Sequence, residues 1–106
     1  MIKHPEKAQR YLSFYRWVRR NFGQTVADGG EEMLCALLNR DALEDLPTLR
    51  SELDAEDEAF AEAFAAASED WRRKIWEWAE GDGFGKSRWW RAIESRSREL
   101  RSAKAV

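Results

Sequence analysis

Residues 81–87, GDGFGKS, come closest in composition to a phosphate-binding loop. Such a loop requires the pattern G-x-x-x-x-G-K-[ST] between a strand and a helix, because backbone N–H groups must surround the phosphates. Counted back from Gly85-Lys86-Ser87, the first glycine would stand at position 80, which is Glu80. The preceding segment WRRKIWEWAE has helical rather than strand periodicity. We therefore expect a helix that ends at Gly81, a connection, and a next helix with Ser87 as its N-cap.

Other residue types that perform catalysis or bind metals are few. His4 is the only histidine and Cys35 the only cysteine, so no His–Cys metal cluster or internal disulfide is available. We expect Cys35 to be a small core residue of a helix. The acidic run DAEDE, residues 54–58, lacks the spaced ligands and central glycine of an EF-hand loop. The sequence therefore predicts a non-enzymatic protein with no cofactor and no metal site.

Tryptophans next to arginines recur at three places in the chain. Cationic grooves that carry stacking rings bind single-stranded nucleic acid, so this association is typical of such a surface. The periodicity predicts that Trp71, Trp78 and Trp89 are core residues, whereas Trp17 and Trp76 lie outside the main apolar stripes. One hypothesis is a small helical nucleic-acid-binding subunit that uses Arg16, Trp17, Arg20, Arg72, Arg73, Arg88 and Arg91.

The net charge of −2 conceals a segregation of charge along the chain. Residues 1–23 carry six Lys/Arg against one Glu, residues 24–70 carry two against fourteen Asp/Glu, and residues 71–106 carry ten against five. An acidic middle between basic ends could present a negative surface to the positively charged groove of a nucleic-acid-processing complex. The leading hypothesis is therefore a stoichiometric inhibitor or adaptor that binds its partner through Glu56, Asp57, Glu58, Glu62, Glu69, Asp70 and the apolar anchor Trp76.

Helical periodicity runs through most of the chain and predicts an all-α, single-domain bundle of four or five helices over residues 1–106. A basic helix is expected over residues 5–22, followed by the acidic middle, residues 24–70, and a basic C-terminal helix over residues 87–101. Met33, Leu34, Leu37 and Leu38 form the expected buried stripe of the second helix. Apolar residues between Phe60 and Trp78 predict one helix over residues 55–80, with a break near Ser68 as the alternative.

Two resemblances to known families complete the sequence analysis. SFYRW, residues 13–17, with helices following, is similar to the YozE-like sterile-alpha-motif domains, a resemblance that covers at most the first two thirds of the chain and implies no activity. In its length, absence of a catalytic set and segregated acidic surface, the chain resembles the phage-encoded anti-CRISPR inhibitors. This second resemblance implies that the partner is a type I CRISPR surveillance complex or its helicase-nuclease. It includes no shared motif, so no functional residue is transferred by it.

The remaining expectations concern location and self-association. No long apolar run and no hydrophobic stretch after the N-terminal charges is visible, so we expect a protein of the bacterial cytoplasm with no membrane partner. A third hypothesis is a structural homodimer whose aromatic faces bury one another.

Overall fold

The computed structural model describes residues 7–27, 29–44, 46–81, 83 and 86–104 of the chain. These ranges contain six α-helices and no strand, which confirms the predicted all-α class. The helices are α1 (Ala8–Arg20), α2 (Phe22–Ala27), α3 (Glu31–Ala42), α4 (Arg50–Ala66), α5 (Glu69–Gly81) and α6 (Arg88–Lys104). The prediction of four or five helices is corrected, because two of the expected long helices are each interrupted. None of the described helices is long and apolar enough to cross a membrane.

Backbone contacts divide the chain into two units, Met1–Glu56 and Asp57–Val106, so α4 contributes residues to both. In the first unit α1 packs against α3, and α2 contacts both helices. The buried side chains recur every three or four residues, as the core face of a helix requires. They are Leu12, Tyr15 and Val18 on α1 and Met33, Ala36 and Leu37 on α3.

A second apolar cluster of the first unit joins α1 to the segment that enters α4. Ala8 and Leu12 pack there with Leu43, Leu49 and Leu53. Leu49 belongs to a short 3-10 helix, Pro47–Leu49, which leads directly into α4. The chain therefore enters α4 five residues before the predicted start at residue 55.

The expected helix over residues 5–22 ends early, at Arg20, and α2 begins two residues later. Asn21 separates them: its backbone N–H and its side-chain Nδ2 both donate to the carbonyl oxygen of Trp17, at 3.0 and 2.8 Å. A side chain that bonds to the backbone in this way competes with continuation of the helix. Residues 5 and 6 lie outside the described part of the chain.

In the second unit, aromatic rings of α4 and α6 form the centre of the core. Phe60 and Phe64 are stacked with ring centroids 6.4 Å apart, and Phe64 meets Trp90 edge to face at 5.8 Å. Ile75 of α5 and Ile93 of α6 are also buried. Aromatic pairs of this geometry contribute about 0.5–1.5 kcal/mol beyond the burial of their area, so these rings stabilise the unit.

The predicted continuous helix over residues 55–80 is broken between Ala66 and Glu69, which confirms the alternative that the break lies near Ser68. The Ser68 hydroxyl accepts a hydrogen bond from the Trp71 backbone N–H at 3.2 Å, which is the geometry of an N-cap. Arg72 donates to the carbonyl oxygens of Ala65 and Ala67, two of the groups that the end of α4 leaves without helical partners. The side chains of Ser68 and Arg72 thus satisfy backbone groups on both sides of the break.

Two expectations about the core residues of α3 are wrong. Leu38 is 48% exposed and Cys35 is exposed, because the buried face of α3 runs through Met33, Ala36 and Leu37 instead. Trp90, which is next to Arg91 in the sequence, is fully buried against Phe64. Trp89 is buried as predicted, whereas Trp71 and Trp78 are only partly buried.

Candidate functional site

A cavity of about 290 Å³ lies within the second unit, along α5 and α6. Trp76 of α5 is the only tryptophan that lines this cavity, so we call the cavity the Trp76 cleft. Its residues repeat at helical steps on each element, because positions three, four and seven residues apart share one helix face. They are Glu69, Arg72, Arg73 and Trp76 on α5, Glu94, Arg98 and Arg101 on α6, and Phe64 of α4.

Trp76 combines an exposed ring with a fixed orientation. Its side chain is 42% exposed, as the sequence predicted for a residue outside the main apolar stripe. The indole Nε1–H donates to Oε2 of Glu94 at 2.9 Å, which links α5 to α6. The other carboxylate oxygen of Glu94 accepts a hydrogen bond from Arg98. A ring held in this way loses little rotational freedom when another planar group stacks on it.

The arginines of the cleft lie close enough together to affect one another. The pKa of Arg101 is lowered, first by burial and then by the positive charges of Arg72 and Arg98. Arg101 donates to the hydroxyl of Ser97 at 3.0 Å, and Arg72 donates to backbone carbonyls. Neither of these contacts supplies a negative charge.

The lining of the cleft carries four arginines and two glutamates, a net charge of +2, and Asp70, which pairs with Arg73, reduces this to +1. Guanidinium groups present several donors in a planar fork that matches phosphate and carboxylate oxygens. A partly apolar cavity with a ring on its wall and excess positive charge is suited to a ligand that is both planar and anionic.

A second cavity, of about 310 Å³, also includes Trp76 in its lining, together with Glu80, Arg91, Glu94, Ser95 and Arg98. Trp76, Glu94 and Arg98 line both cavities. The ring of Trp76 therefore stands on a surface that extends along α5 and α6 beyond the first cavity.

Three of the predicted acidic docking residues are held in ion pairs. Glu56 is buried, and its carboxylate accepts from Arg16 Nε at 2.7 Å and from Arg19 Nη2 at 3.0 Å. Glu58 pairs with Arg96 at 2.9 Å and Asp70 with Arg73 at 2.8 Å. Much of the negative charge of this set is thus neutralised within the chain.

The other predicted acidic residues differ in their surroundings. Asp57 is half-buried and has a partner within the chain. Glu62 and Glu69 are exposed, and Glu69 lines the Trp76 cleft beside the arginines. Only Glu69 of these three therefore shares a cavity with the predicted apolar anchor, Trp76.

The predicted basic residues are divided between the two units. In the first unit Arg16 is held by Glu56, while Trp17 and Arg20 are exposed. In the second unit the structure brings Arg72 and Arg73 together at the Trp76 cleft. Of the remaining pair, Arg91 lines the neighbouring cavity and Arg88 is exposed at the first position of α6.

Glu94, Arg98 and Arg101 line the cleft but were not predicted to be site residues. Their steps of four and three residues place them on one face of α6, a signal that was present in the sequence. The hydrogen bond between Trp76 and Glu94 joins residues 18 positions apart, so no local pattern could have indicated it.

The glycine-rich stretch at residues 81–87 lies partly outside the described residues, which omit positions 82, 84 and 85. The helix before it ends at Gly81 as predicted, and Ser87 directly precedes α6. In the described part of the chain, no group of three or more His, Cys, Asp or Glu residues is arranged to hold a metal ion.

Comparison of the chain with protein-family models, with curated proteins and with solved structures finds no match.

Proposed function

We propose that this chain is a non-catalytic protein that binds single-stranded nucleic acid through the Trp76 cleft. One observation carries the proposal: a fixed and exposed tryptophan ring lines the same cavity as four arginines. Proteins that bind single strands combine a cationic groove with aromatic rings on which bases stack. The cleft supplies both parts within one unit of the chain.

The tryptophan and the arginines of the cleft have different proposed roles. A base stacks on the exposed face of Trp76, whose orientation is held by Glu94. Arg101 contacts the phosphate on one side of that base, and Arg73 exchanges its contact with Asp70 for the phosphate on the other side. Stacking requires an unpaired base, so a duplex of the same sequence should bind more weakly.

Electrostatics favours this function over the acidic docking surface that the sequence first suggested. Glu56 and Glu58 are each paired with an arginine that does not line the cleft, which reduces the field they would present to a basic groove. The hypotheses of a CRISPR inhibitor and of a structural homodimer stay predictions.

The proposal is tested by fluorescence anisotropy with a labelled single strand of about 12 nucleotides, titrated at several salt concentrations. Each phosphate contact contributes about −0.7 to the slope of log K against log [salt], so two to four contacts predict a slope of about −1.4 to −2.8. Arg73→Glu should make that slope shallower by about 0.7. Lys74→Glu is the matched control, because Lys74 is exposed on the same helix and does not line the cleft.

The tryptophan is tested separately from the charges. Loss of a stacking ring costs about 1–3 kcal/mol per base, so Trp76→Ala should weaken binding about 5- to 150-fold. Trp76→Phe retains a stacking ring without the bond to Glu94 and should have an intermediate affinity. Unchanged affinity in Trp76→Ala, or equal salt slopes in Arg73→Glu and Lys74→Glu, would contradict the proposal.

A further inference from the structure

A second cavity with basic and aromatic walls lies in the first unit. Its volume is about 390 Å³, and it is lined by Lys7, Arg10, Tyr11, Phe14 and Asn39. Four of these residues come from the start of the chain's first helical segment, and Asn39 comes from α3. We call this the α1 surface. It shares no residue with the Trp76 cleft.

The positive charge of the α1 surface is not neutralised within the described chain. No carboxylate lines the cavity, and neither Lys7 nor Arg10 forms an ion pair with a described residue. Arg16 and Arg19, farther along the same helix, are both engaged by Glu56. The helix therefore carries two kinds of cation: those that stabilise the unit and those that remain available to an external anion.

Aromatic rings extend the α1 surface along the helix. Phe14 stacks on Trp17 with ring centroids 6.1 Å apart and an angle of 15° between the planes. Trp17 is 47% exposed, so one side of this ring pair faces solvent. Arg10, Phe14 and Trp17 are separated by four and three residues, which places them on one face of α1.

We propose that the α1 surface is a second binding site for the same class of ligand, single-stranded nucleic acid. The inference rests on the function proposed for the Trp76 cleft, because both surfaces combine an exposed tryptophan with arginine. The unpaired cations and the absence of a lining carboxylate make an anionic occupant the complementary one. A base would stack on Trp17, and Lys7 and Arg10 would contact phosphates. Each chain would then hold two separate stretches of nucleic acid.

The test is the number of short oligonucleotides that each chain binds. An oligonucleotide of about 5 nucleotides, close to the smallest single-strand site sizes, is titrated into the full chain and followed by calorimetry and native mass spectrometry. Wild-type protein should bind two equivalents. Trp17→Ala and Trp76→Ala should each bind one, and the double variant none. Leu38→Ala, which removes an exposed apolar side chain of the same unit outside the cavity, should still bind two.

Each alternative result shows whether the α1 surface, the Trp76 cleft or both fail to bind nucleic acid. One equivalent in wild type, lost in Trp76→Ala and kept in Trp17→Ala, overturns the second site and leaves the Trp76 cleft intact. One equivalent that is lost only in Trp17→Ala overturns the role of the Trp76 cleft instead. No binding at all overturns both. Arg10→Glu provides a second variant of the α1 surface and should also reduce the number from two to one.

Discussion

Replacing Glu56 with glutamine removes the charge from a buried carboxylate that pairs with two arginines of the first unit. The carboxylate accepts three hydrogen bonds, one from Arg16 at 2.7 Å and two from Arg19 at 3.3 and 3.0 Å. A glutamine keeps one acceptor oxygen and turns an amide N–H₂ toward the other arginine, so about half of the contacts are lost. Glu56 itself is 8% exposed, which limits compensation by water.

The expected loss follows from these contacts. Hydrogen bonds to charged groups contribute about 1.5–3 kcal/mol, and removing one partner of a fully buried pair costs about 3–5 kcal/mol. The side chains of Arg16 and Arg19 are 34% and 25% exposed, so both arginines regain hydration when Glu56 is replaced. We expect Glu56→Gln to lower the free energy of unfolding by about 2 kcal/mol.

Urea denaturation followed by circular dichroism measures this loss. With a slope of about 2 kcal/mol per molar urea, the midpoint should fall by about 1 M. Glu58→Gln is the matched control, because it makes the same change on the same helix at a more exposed pair, and surface pairs contribute little. A loss below about 0.5 kcal/mol, or one no larger than in the control, would refute the reasoning.

The ion pair of Glu56 with Arg16 and Arg19 also predicts how the stability of the protein depends on pH. Burial raises the pKa of the Glu56 carboxyl group, but the hydrogen bonds from Arg16 and Arg19 outweigh burial and hold the pKa below its ordinary value of 4.5. The contribution is therefore fully present above pH 4.5 and is lost as the pH falls through the lowered pKa of the folded state. The difference between wild type and Glu56→Gln should shrink below that pH. A difference that stays constant down to pH 3 would contradict this assignment.

Two further predictions concern the second unit. Ser68→Ala removes the N-cap of α5 and should cost about 1 kcal/mol by urea denaturation. Ser51→Ala, at an exposed position of α4, is its control, and equal effects would argue against the cap. Phe64→Ala removes a ring that contacts both Phe60 and Trp90 and should cost about 3–5 kcal/mol, or prevent folding of the unit. A cost below about 1 kcal/mol would show that these ring contacts do not stabilise the core.

Helical periodicity predicted the all-α class and the exposure of Trp17 and Trp76, since these depend on spacing within single helices. The interruption at Asn21 was missed because it depends on one side chain bonding to the backbone, where the apolar pattern continues to Phe22. The face of α3 was also misjudged. Leu38 fits a helical stripe with Leu34, but packing against α1 selected the face that carries Met33 and Leu37.

Long-range partners were beyond the reach of sequence analysis. Glu56 lies 40 residues from Arg16 in the sequence, so no local pattern could indicate their ion pair. Glu56 was predicted to lie on the surface, but the structure buries it in this pair. The Trp76 cleft itself was not predicted, although Arg72, Arg73 and Trp76 were each named as candidate site residues. The residues of α6 that line the same cavity are distant from them in the sequence, so only the tertiary structure shows that they share it.

The most direct test of the proposed function is to observe the ring of Trp76 while single-stranded nucleic acid binds. Each tryptophan indole N–H gives its own signal in a ¹⁵N–¹H correlation spectrum, and Trp76→Phe assigns the signal of Trp76. On titration with a single strand of about 12 nucleotides, we expect the Trp76 indole signal to move in proportion to saturation. The signal of Trp90, which is fully buried, should stay in place. A Trp76 signal that remains unchanged at saturation would show that the cleft is not the binding site.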